Sequence, residues 1–595
     1  MPSPTAPQDP DPGGVLRRVG DRRLPLDHKP GPGRRITATP NPVPVIPQGI
    51  LAGFNARILN PDTAYLAPGQ PVPSMTLYAA NTLLVRGLPG IGNAAQPLID
   101  EIAEVAKTLG YAVRVSPIDE ARAVQAVALA ERGSRGWLDV LNRVSVTQIG
   151  FERDSGGVQR VADAWVILQE LIVHQNSIGT LGFGEHPAGV SLDHLMTTCG
   201  DFEPGRHWDA VGQYGSVGQY GSVGQYGSVG QYGSVGQYGS VGQYGAVGQY
   251  GSVGAADIYG VPGFGGRTPL VWRADNPRDH VTLPKRPPVV ALVDTQVGPH
   301  PWFAGAHAPT EITLGPGREP SDELRDELNG LLAPEAGHGT FIAGIIRQIC
   351  PQAHLLVVPV IPFAGAAAEK DIHDALLLLI ERQRAALAPG GDASLLVDVV
   401  NLSLGYYHER PEDAVVQDGP IRALIQELID LGVVVVAAAG NAGTRARFYP
   451  AAFAPSEHRL VSVGALNPSG TSVALFSNHG DWVEEHRVAA SVVSTVPTSM
   501  VGNAQASIEK KRTDPLPRGT IDPDDYSPGF AAWSGTSFAA PVLAAEITLG
   551  LLALEDEEPG LLQSTDPDTV RRRSDKAVTW ARERDDLARA RTKDP

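Results

Sequence analysis

The sequence predicts an α/β protein with a doubly wound parallel sheet, preceded by a smaller N-terminal α+β module. Two observations favour the parallel sheet: short apolar runs alternate with helical stretches between residues 286 and 553, and polar residues close several of those runs. A strand–helix–strand pattern between residues 75 and 205 indicates the separate module. Such alternation is typical of parallel sheets, because each helix returns the chain to the edge where the next strand starts.

The strands predicted in the larger domain are continuously apolar, as expected for strands buried on both faces. They lie at Leu355–Ile361, Val397–Leu404, Val433–Ala439 and Leu460–Ala465, with helices at Glu369–Leu387 and Ile421–Leu431. A further apolar run, Val289–Asp294, ends in a carboxylate. Because active groups of such folds collect at the carboxyl ends of strands, we expect Asp294, Asn401 and Asn441 at one edge of the sheet.

Two short motifs place reactive side chains at the starts of apolar helices. Ser537 follows Gly535 and precedes a helix that continues to Leu551, and His338 opens a second helix within Gly337–Thr340. The first turn of a helix has unpaired N–H groups and a positive dipole end, which favour a developing negative charge. Each motif alone is also what an ordinary helix start looks like. Their occurrence together indicates acid–base and nucleophilic chemistry.

In the order Asp294, His338, Asn441 and Ser537, the motifs resemble those of the subtilisin-like serine proteases over about residues 286 to 553. The matching segments are Asp294-Thr295, Gly337-His338-Gly339-Thr340 with Ala343-Gly344, Gly535-Thr536-Ser537 with Ala539 and Pro541, Asn401–Gly405, Ala438–Asn441, Tyr449–Ala451, Phe476–Asn478 and Ser494–Pro497. The sequence departs from the family pattern at Gln296, Phe341 and Val542. These departures concern loop geometry and substrate preference, since none is a triad position.

The resemblance implies a serine endopeptidase with an Asp294–His338–Ser537 triad and Asn441 in the oxyanion hole. It also implies a substrate-binding backbone, formed by Ser403, Leu404, Gly405, Ala439 and Gly440. The substrate is then a polypeptide. Two alternatives stay open: a catalytically silent protease fold that recruits partners, and an esterase or peptide ligase that uses the same groups. We expect no cofactor, and no acidic cluster supports a calcium site of the family's kind.

Composition limits the other function classes. The formal net charge of −17 argues against nucleic acid as a partner, and 595 residues suffice for several domains. The two cysteines, Cys199 and Cys350, exclude a disulfide framework and predict a buried free thiol. No apolar segment follows the basic residues of the first 50, and no run approaches a membrane-spanning helix. We therefore expect a cytoplasmic protein without a membrane partner.

The domain boundaries follow from composition. We predict a disordered Pro/Gly/Arg-rich arm over 1–74, an α+β module over 75–205, a repeat and linker over 206–285, the peptidase domain over 286–553 and a charged tail over 554–595. The module suits a ferredoxin-like unit. An inhibitory propeptide, substrate recruitment and plain scaffolding are its alternative roles. Its Gly90–Ala95 turn resembles a dinucleotide-binding loop but lacks the acidic residue such a site requires.

A hexapeptide, Val-Gly-Gln-Tyr-Gly-Ser, repeats seven times from Val211, and its sixth copy ends in Ala246. Two glycines in six residues cost backbone entropy in any regular element, and no large apolar group offsets that cost. We expect a flexible linker with evenly spaced tyrosines. Self-association through those tyrosines and a short β-solenoid are the alternatives.

Overall fold

A computed structural model describes most of the chain. It covers residues 40–42, 48–91, 95–131, 135–154, 161–198, 259 and 265–593, with short gaps at 316–317, 319–322, 326–329, 364, 413, 415–418, 508 and 511–517. The hexapeptide repeat and Cys199 therefore lie outside the described residues. Cys350 is a buried free thiol, as predicted, and burial raises its pKa to about 12.

The N-terminal module alternates strands and helices. Its strands are β1 (Ala56–Leu59), β2 (Thr76–Arg86), β3 (Tyr111–Val115), β4 (Val146–Arg153) and β5 (Val190–Thr198). Its helices are α1 (Gln48–Gly53), α2 (Ala95–Thr108), α3 (Pro117–Glu131), α4 (Arg135–Val144) and α5 (Ala164–Ile178). The strands pair antiparallel in the order β5-β2-β4-β3, with β1 beside β2. This is the strand order of a ferredoxin-like unit, with α2 and α5 as its two crossover helices.

The larger domain is built on a parallel sheet. Its strands are β6 (Thr268–Leu270), β7 (Val289–Asp294), β8 (Thr310–Glu311), β9 (His354–Pro359), β10 (Ala366–Ala368), β11 (Val399–Leu402), β12 (Leu404–Tyr407), β13 (Val434–Ala438), β14 (Phe448–Tyr449), β15 (Leu460–Leu466), β16 (Glu485–Val488), β17 (Val492–Thr495), β18 (Glu509–Lys510), β19 (Arg518–Gly519) and β20 (Phe530–Trp533). The parallel sheet has the order β16-β15-β13-β11-β7-β9-β8. The doubly wound fold predicted from the alternating runs is thus confirmed.

Helices cover both faces of this sheet. They are α6 (His338–Ile349), α7 (Glu369–Leu387), α8 (Pro420–Asp430), α9 (Thr536–Glu557) and α10 (Pro567–Lys593). Helices α6 and α9 pack together on one face, where α9 crosses β11, β13 and β15, and α7 and α8 pack on the other. The chain reverses its direction of winding between the neighbouring strands β7 and β11. In an open α/β sheet, a cleft forms where the strand order reverses.

A second, antiparallel sheet joins the two parts of the chain. Strand β5 of the module pairs with β12 and with β10 of the larger domain, and β12 pairs in turn with β14. Helix α4 of the module also contacts α8. The module is therefore held against the larger domain by backbone hydrogen bonds as well as by side chains.

Three predicted boundaries are wrong. The arm predicted to be disordered to residue 74 includes α1 and β1, because Ile50 and Leu59 are apolar residues that find buried positions against the module. The linker predicted to reach residue 285 contains β6, which pairs with β20. The charged tail predicted from residue 554 contains α10, which packs on α9 through a stripe of buried residues, namely Val570, Ala577, Val578 and Ala581.

Helix α9 is long and apolar enough to cross a membrane by length and composition alone, contrary to the prediction that no run reaches this limit. However, 67% of its most apolar stretch is buried inside the protein. The central helix of a soluble domain gives the same pattern, since it is surrounded by apolar side chains. We therefore describe α9 as a core helix.

Candidate active site

Asp294 and His338 form a buried pair at the carboxyl edge of the parallel sheet. Asp294 ends β7, whose six residues are all buried, and His338 begins α6. The Nδ1 atom of His338 lies 2.7 Å from Oδ1 of Asp294, which also accepts a hydrogen bond from the N–H of Thr295 at 2.7 Å. Both side chains are fully buried. With a carboxylate facing Nδ1, the proton of a neutral imidazole lies on Nδ1.

Ser537 lies in the first turn of α9, close to this pair. Its hydroxyl donates to the carbonyl of Ser403 at 3.2 Å, and the Ser403 hydroxyl donates to the Ser537 carbonyl at 2.8 Å. The ring centroid of Phe538, the next residue, lies 5.5 Å from that of His338, and the Trp533 ring lies 5.8 Å from it. The structure thus joins Asp294 to His338 and places Phe538, the neighbour of Ser537, against the His338 ring, while the Ser537 hydroxyl is hydrogen-bonded to Ser403.

The loop after β13 carries Asn441 to the start of the serine helix. Its Oδ1 atom accepts hydrogen bonds from the N–H of Thr536 at 2.9 Å and from the Thr536 hydroxyl at 2.8 Å. These bonds turn the side-chain NH₂ away from Thr536. Gly440 has φ +94°, and a Cβ there would lie 2.5 Å from Nδ2 of Asn478. Glycine is therefore required at this position for both conformation and space.

Ala439 and Gly440 were predicted to bind substrate. In the structure, their backbone N–H groups make hydrogen bonds inside the domain that hold this loop in place. The N–H of Ala439 donates to the carbonyl of Val463 at 2.9 Å. The N–H of Gly440 donates to the Thr536 hydroxyl at 3.0 Å. Both N–H groups are thus engaged inside the domain, and their observed role is to fix the position of Asn441.

The predicted substrate-binding residues Ser403, Leu404 and Gly405 lie beside a strand of the module. Leu404 pairs with Thr198 and Gly405 with Thr197, in antiparallel register. Strand β5 also pairs with β10, through Leu195, Met196 and Thr197. A segment of the same chain therefore occupies the cleft as an extended strand, in the arrangement that an extended peptide uses to add to a sheet.

One histidine of this strand is held between two carboxylates. The Nδ1 atom of His194 lies 2.6 Å from Oε2 of Glu369, and its Nε2 atom lies 2.7 Å from Oε2 of Glu409. His194, Glu409 and the nearby His408 bring three potential metal-ligand atoms within 4.8 Å. Because both ring nitrogens of His194 already face carboxylate oxygens at hydrogen-bond distance, we describe this group as an ion-paired cluster.

Residues 285–571 match the model of the subtilase family, peptidase family S8. This part of the chain is a subtilase domain. The resemblance inferred from the sequence motifs is thereby confirmed, and the match extends beyond the predicted boundary at residue 553 into α10.

Among curated proteins, the chain is 25% identical over 311 residues to Serine protease AprX of Bacillus subtilis (strain 168), which covers 47% of this chain and 61% of the relative. It is 29% identical over 182 residues to a Thermophilic serine proteinase of Bacillus sp. (strain AK1), or 30% of this chain and 38% of the relative. Thermitase of Thermoactinomyces vulgaris is 24% identical over 306 residues, or 50% and 85%. The chain thus spans less than two thirds of the first two relatives.

Solved structures similar to the chain include a cold adapted subtilisin-like serine proteinase. It is 20% identical, with a TM-score of 0.30, and the match covers 48% of this chain and 82% of that one. The Prenylagaramide maturation protease PagA is 23% identical, with a TM-score of 0.30, and the match covers 48% and 81%.

Two residues of the subtilase site were missed from the sequence. The buried carboxylate of Glu335 lies 3.9 Å from Nε2 of His338. Arg267 donates hydrogen bonds to the carbonyls of Pro334 and Ala336, on either side of Glu335, and its guanidinium lies 4.9 Å from the Trp533 ring centroid. The Pro- and Gly-rich sequence around residue 267 gave no indication of this contact. The contact fixes the segment that leads into His338.

Proposed function

We propose that the chain is a serine endopeptidase that cleaves polypeptides through an acyl-enzyme. The observation that carries the proposal is the buried contact between His338 Nδ1 and Asp294 Oδ1 at 2.7 Å, beside the first turn of the serine helix. His338 would take the proton of the Ser537 hydroxyl and return it to the leaving amine, while Asp294 would hold the imidazole in the required tautomer. Membership of the subtilase family supports this assignment.

The oxyanion of the tetrahedral intermediate would be bound by the side-chain NH₂ of Asn441 and the backbone N–H of Ser537. Support comes from the two hydrogen bonds that hold Oδ1 of Asn441 on Thr536, because they fix the orientation of its amide. Such donors are effective because they are already oriented where the negative charge develops. No cofactor is needed for this reaction. In acylation the Ser537 oxygen forms a bond to the carbonyl carbon as the scissile C–N bond breaks and the amine leaves with a proton, and in deacylation water replaces the serine oxygen.

We also infer that the N-terminal module inhibits the peptidase in cis. Among the roles considered for the module, the pairing of β5 with β10 and β12 favours the inhibitory one. Ser537 and His338 are both fully buried while the strand is in place. A peptide substrate would have to displace β5 before it could pair with Ser403–Gly405. No observation favours the silent-scaffold alternative.

Labelling with a fluorophosphonate probe tests the peptidase assignment. The full-length chain is incubated with the probe, and the adduct is located by peptide mass spectrometry, alongside Ser537→Ala and an exposed-serine control, Ser469→Ala. We expect labelling at Ser537 in the parent and in the control variant, and none in Ser537→Ala. Absence of labelling in all three proteins, after the probe has been given time for β5 to open, would contradict the proposal.

Peptide and ester substrates assayed side by side separate an endopeptidase from the esterase or ligase alternative. We expect internal cleavage of an unfolded polypeptide by the parent chain that has not been exposed to the probe. Ester hydrolysis without any peptide cleavage would favour the alternative, because both reactions share the acyl-enzyme and differ in the acceptor and leaving group.

A further inference from the structure

The side chains of β5 divide between two environments. Successive residues of a strand point to opposite faces. Asp193 accepts from Thr82 and Gln148 of the module and from the N–H of Lys370, and Leu195 packs in an apolar cluster with residues of α1, β2 and β10. On the opposite face, His194 contacts Glu369 and Glu409 of the subtilase domain, and Met196 is fully buried. The side chains on that face of the strand therefore indicate which residues of a bound peptide the cleft can hold.

The pocket that holds His194 is built for a positive charge. Each of the two ring nitrogens has a carboxylate oxygen within 2.7 Å, so both nitrogens donate and the ring is an imidazolium. The Tyr406 ring stacks on the imidazole with 4.5 Å between centroids. Two carboxylates and an aromatic face are the groups that bind cationic side chains in proteins.

The carboxylates of this pocket belong to the subtilase domain, and module residues contact the backbone beside each of them: Asp193 accepts from the N–H of Lys370, and the N–H of Ser74 donates to the carbonyl of Glu409. Glu369 is the first residue of α7, and Glu409 follows β12 by two positions. Both side chains are 2% exposed. A buried carboxylate without a partner is costly, because water no longer solvates its charge. When β5 leaves, both carboxylates lose His194 while Glu409 keeps His408 Nδ1 at 3.4 Å, and the two neighbouring negative charges attract another cation.

The pocket also has space for a longer side chain than histidine. A cavity of about 250 Å³ adjoins His194 and is lined in part by Tyr406, His408, Glu409 and Arg410. Arg86 also lines the cavity, and the guanidinium of Arg410 donates to the side-chain oxygen of Gln70. His186, on the same cavity, is neutral at neutral pH because burial lowers its pKa to about 4. Lysine or arginine could thus extend past the position of the imidazole.

We propose that Glu369 and Glu409 form a cation-binding subsite of the cleft, which selects polypeptides that carry His, Lys or Arg four residues before the residue paired with Leu404. Between these positions, the buried Met196 indicates an apolar residue two places after the cation. The substrate class is therefore an extended segment with the order basic, any, apolar, any, small. This proposal rests on the peptidase assignment, because only a peptidase would cleave the bound segment. Binding of a cation between Glu369 and Glu409 does not itself require cleavage.

Peptide binding in trans tests the subsite without catalysis. The full chain carries Ser537→Ala, which prevents cleavage, and Met196→Asp, which loosens β5. Fluorescent nonapeptides have the sequence of Val190–Thr198 with His, Arg, Ala or Glu at the His194 position, and binding is measured by anisotropy. We expect the His and Arg peptides to bind at least tenfold more tightly than the Ala peptide. The Glu peptide should bind least.

Variants of the pocket identify the groups responsible. In Glu369→Gln and Glu409→Gln, the preference for Arg over Ala should fall to about threefold or less, whereas Glu412→Gln, at an exposed position, should retain it. If Met196→Asp fails to fold, His194→Glu opens the same strand by repulsion from the two carboxylates. Equal binding of the Ala and Arg peptides, or no binding of any peptide to a folded opened chain, would overturn the subsite.

The outcome is independent of the peptidase assignment. A chain that prefers the Arg peptide but is not labelled by a fluorophosphonate keeps the subsite and loses the proposed function. A chain that is labelled at Ser537 but binds all four peptides equally keeps the function and loses the subsite.

Discussion

Two buried carboxylates lie on opposite sides of the His338 imidazole. Asp294 faces Nδ1 at 2.7 Å and is held by the N–H of Thr295, whereas Glu335 lies 3.9 Å from Nε2, on the side from which a serine proton would arrive. A negative charge near an imidazole stabilises its protonated form. Glu335 is therefore a second acidic neighbour of His338, outside the triad predicted from the sequence.

At the same scale, the charge on His194 makes docking of the module dependent on pH. Burial alone would lower the pKa of His194, but the carboxylates of Glu409 and Glu369 raise it to about 10. Tyr406 and His408 also lie close to the ring, and Arg86, His186 and Arg410 line the same cavity. Because the folded-state pKa lies above the free value of about 6.5, the stabilisation is complete below pH 6.5 and is lost as the pH rises through 10.

This pH dependence can be tested with His194→Gln, introduced into the Ser537→Ala variant. We expect this variant to have a lower Tm than its parent at pH 7, with a difference that shrinks steadily as the pH rises to 10.5. Thermal unfolding at several pH values measures it, and His280→Gln, whose side chain is 66% exposed, serves as the matched control. A difference that does not change with pH would contradict a charged His194.

At the scale of elements, β5 determines whether the cleft is open. Met196 is fully buried and pairs with Ala367 of β10. An aspartate at this position would place a carboxylate among apolar groups, which costs several kcal/mol and is avoided when the strand leaves the cleft. The strand is thus the element through which a single substitution can relieve inhibition.

We predict that Met196→Asp accelerates fluorophosphonate labelling of Ser537 at least tenfold, equivalent to about 1.4 kcal/mol. The rate is measured by gel fluorescence over time. Val124→Asp introduces the same charge at a module residue that is 71% exposed and should leave the rate unchanged. If the two variants are labelled equally fast, β5 does not limit access to the serine.

Helix α10 is fixed to the sheet by a buried ionic group. Asp398 accepts hydrogen bonds from Arg286 at 2.8 Å and from Arg573 of α10 at 2.8 Å. Burial alone would raise the pKa of Asp398, but the two guanidinium groups hold it below its usual value. Arg573 lies two residues beyond the end of the family match, so this contact is an addition at the carboxyl end of the subtilase domain.

Removal of this arginine should destabilise the domain. We expect Arg573→Ala to lower the free energy of unfolding by about 3 kcal/mol, the lower end for loss of one partner from a buried ion pair, because Arg286 still compensates Asp398. Urea denaturation measures the change. Arg572→Ala removes an exposed pair with Glu558 and should change stability by less than about 0.5 kcal/mol. Equal effects of the two substitutions would mean that α10 is not held by Asp398.

At the scale of the whole molecule, the sequence was informative where the signal is local. Asp294, His338 and Ser537 each end a buried strand or begin an apolar helix, so their neighbours in sequence predict their location. The role of β5 was not predictable, because Asp193 and His194 interrupt its apolar pattern. The partners that justify their burial, Glu369 and Glu409, lie 175 and 215 residues away from His194. The packing of helix α10 on α9 was missed for a similar reason: a charged tail is typical of an exposed helix or disorder, and its charged residues conceal a narrow stripe of small buried ones.

The direction of β5 in the cleft leads to a prediction about the whole chain. Thr198, its last residue, pairs with Leu404, next to the Ser403 carbonyl that accepts from Ser537. We predict that the chain cleaves itself within one or two residues after Thr198, which gives an N-terminal fragment of about 200 residues. Intact mass spectrometry after storage detects the fragment, and Ser537→Ala should remain whole. A stable parent chain, or an identical cut in the Ser537→Ala variant, would contradict self-cleavage.

The sheet shared by the module and the subtilase domain determines how inhibition depends on protein concentration. While Thr198 and Gly265 remain joined through residues 199–264, inhibitor and enzyme are one molecule, and the local concentration of the strand at the cleft is independent of how much protein is present. Once a bond in that connection is cut, the same contacts become a bimolecular equilibrium. Inhibition then depends on protein concentration: the enzyme would remain inhibited in a concentrated sample and become active in a dilute one.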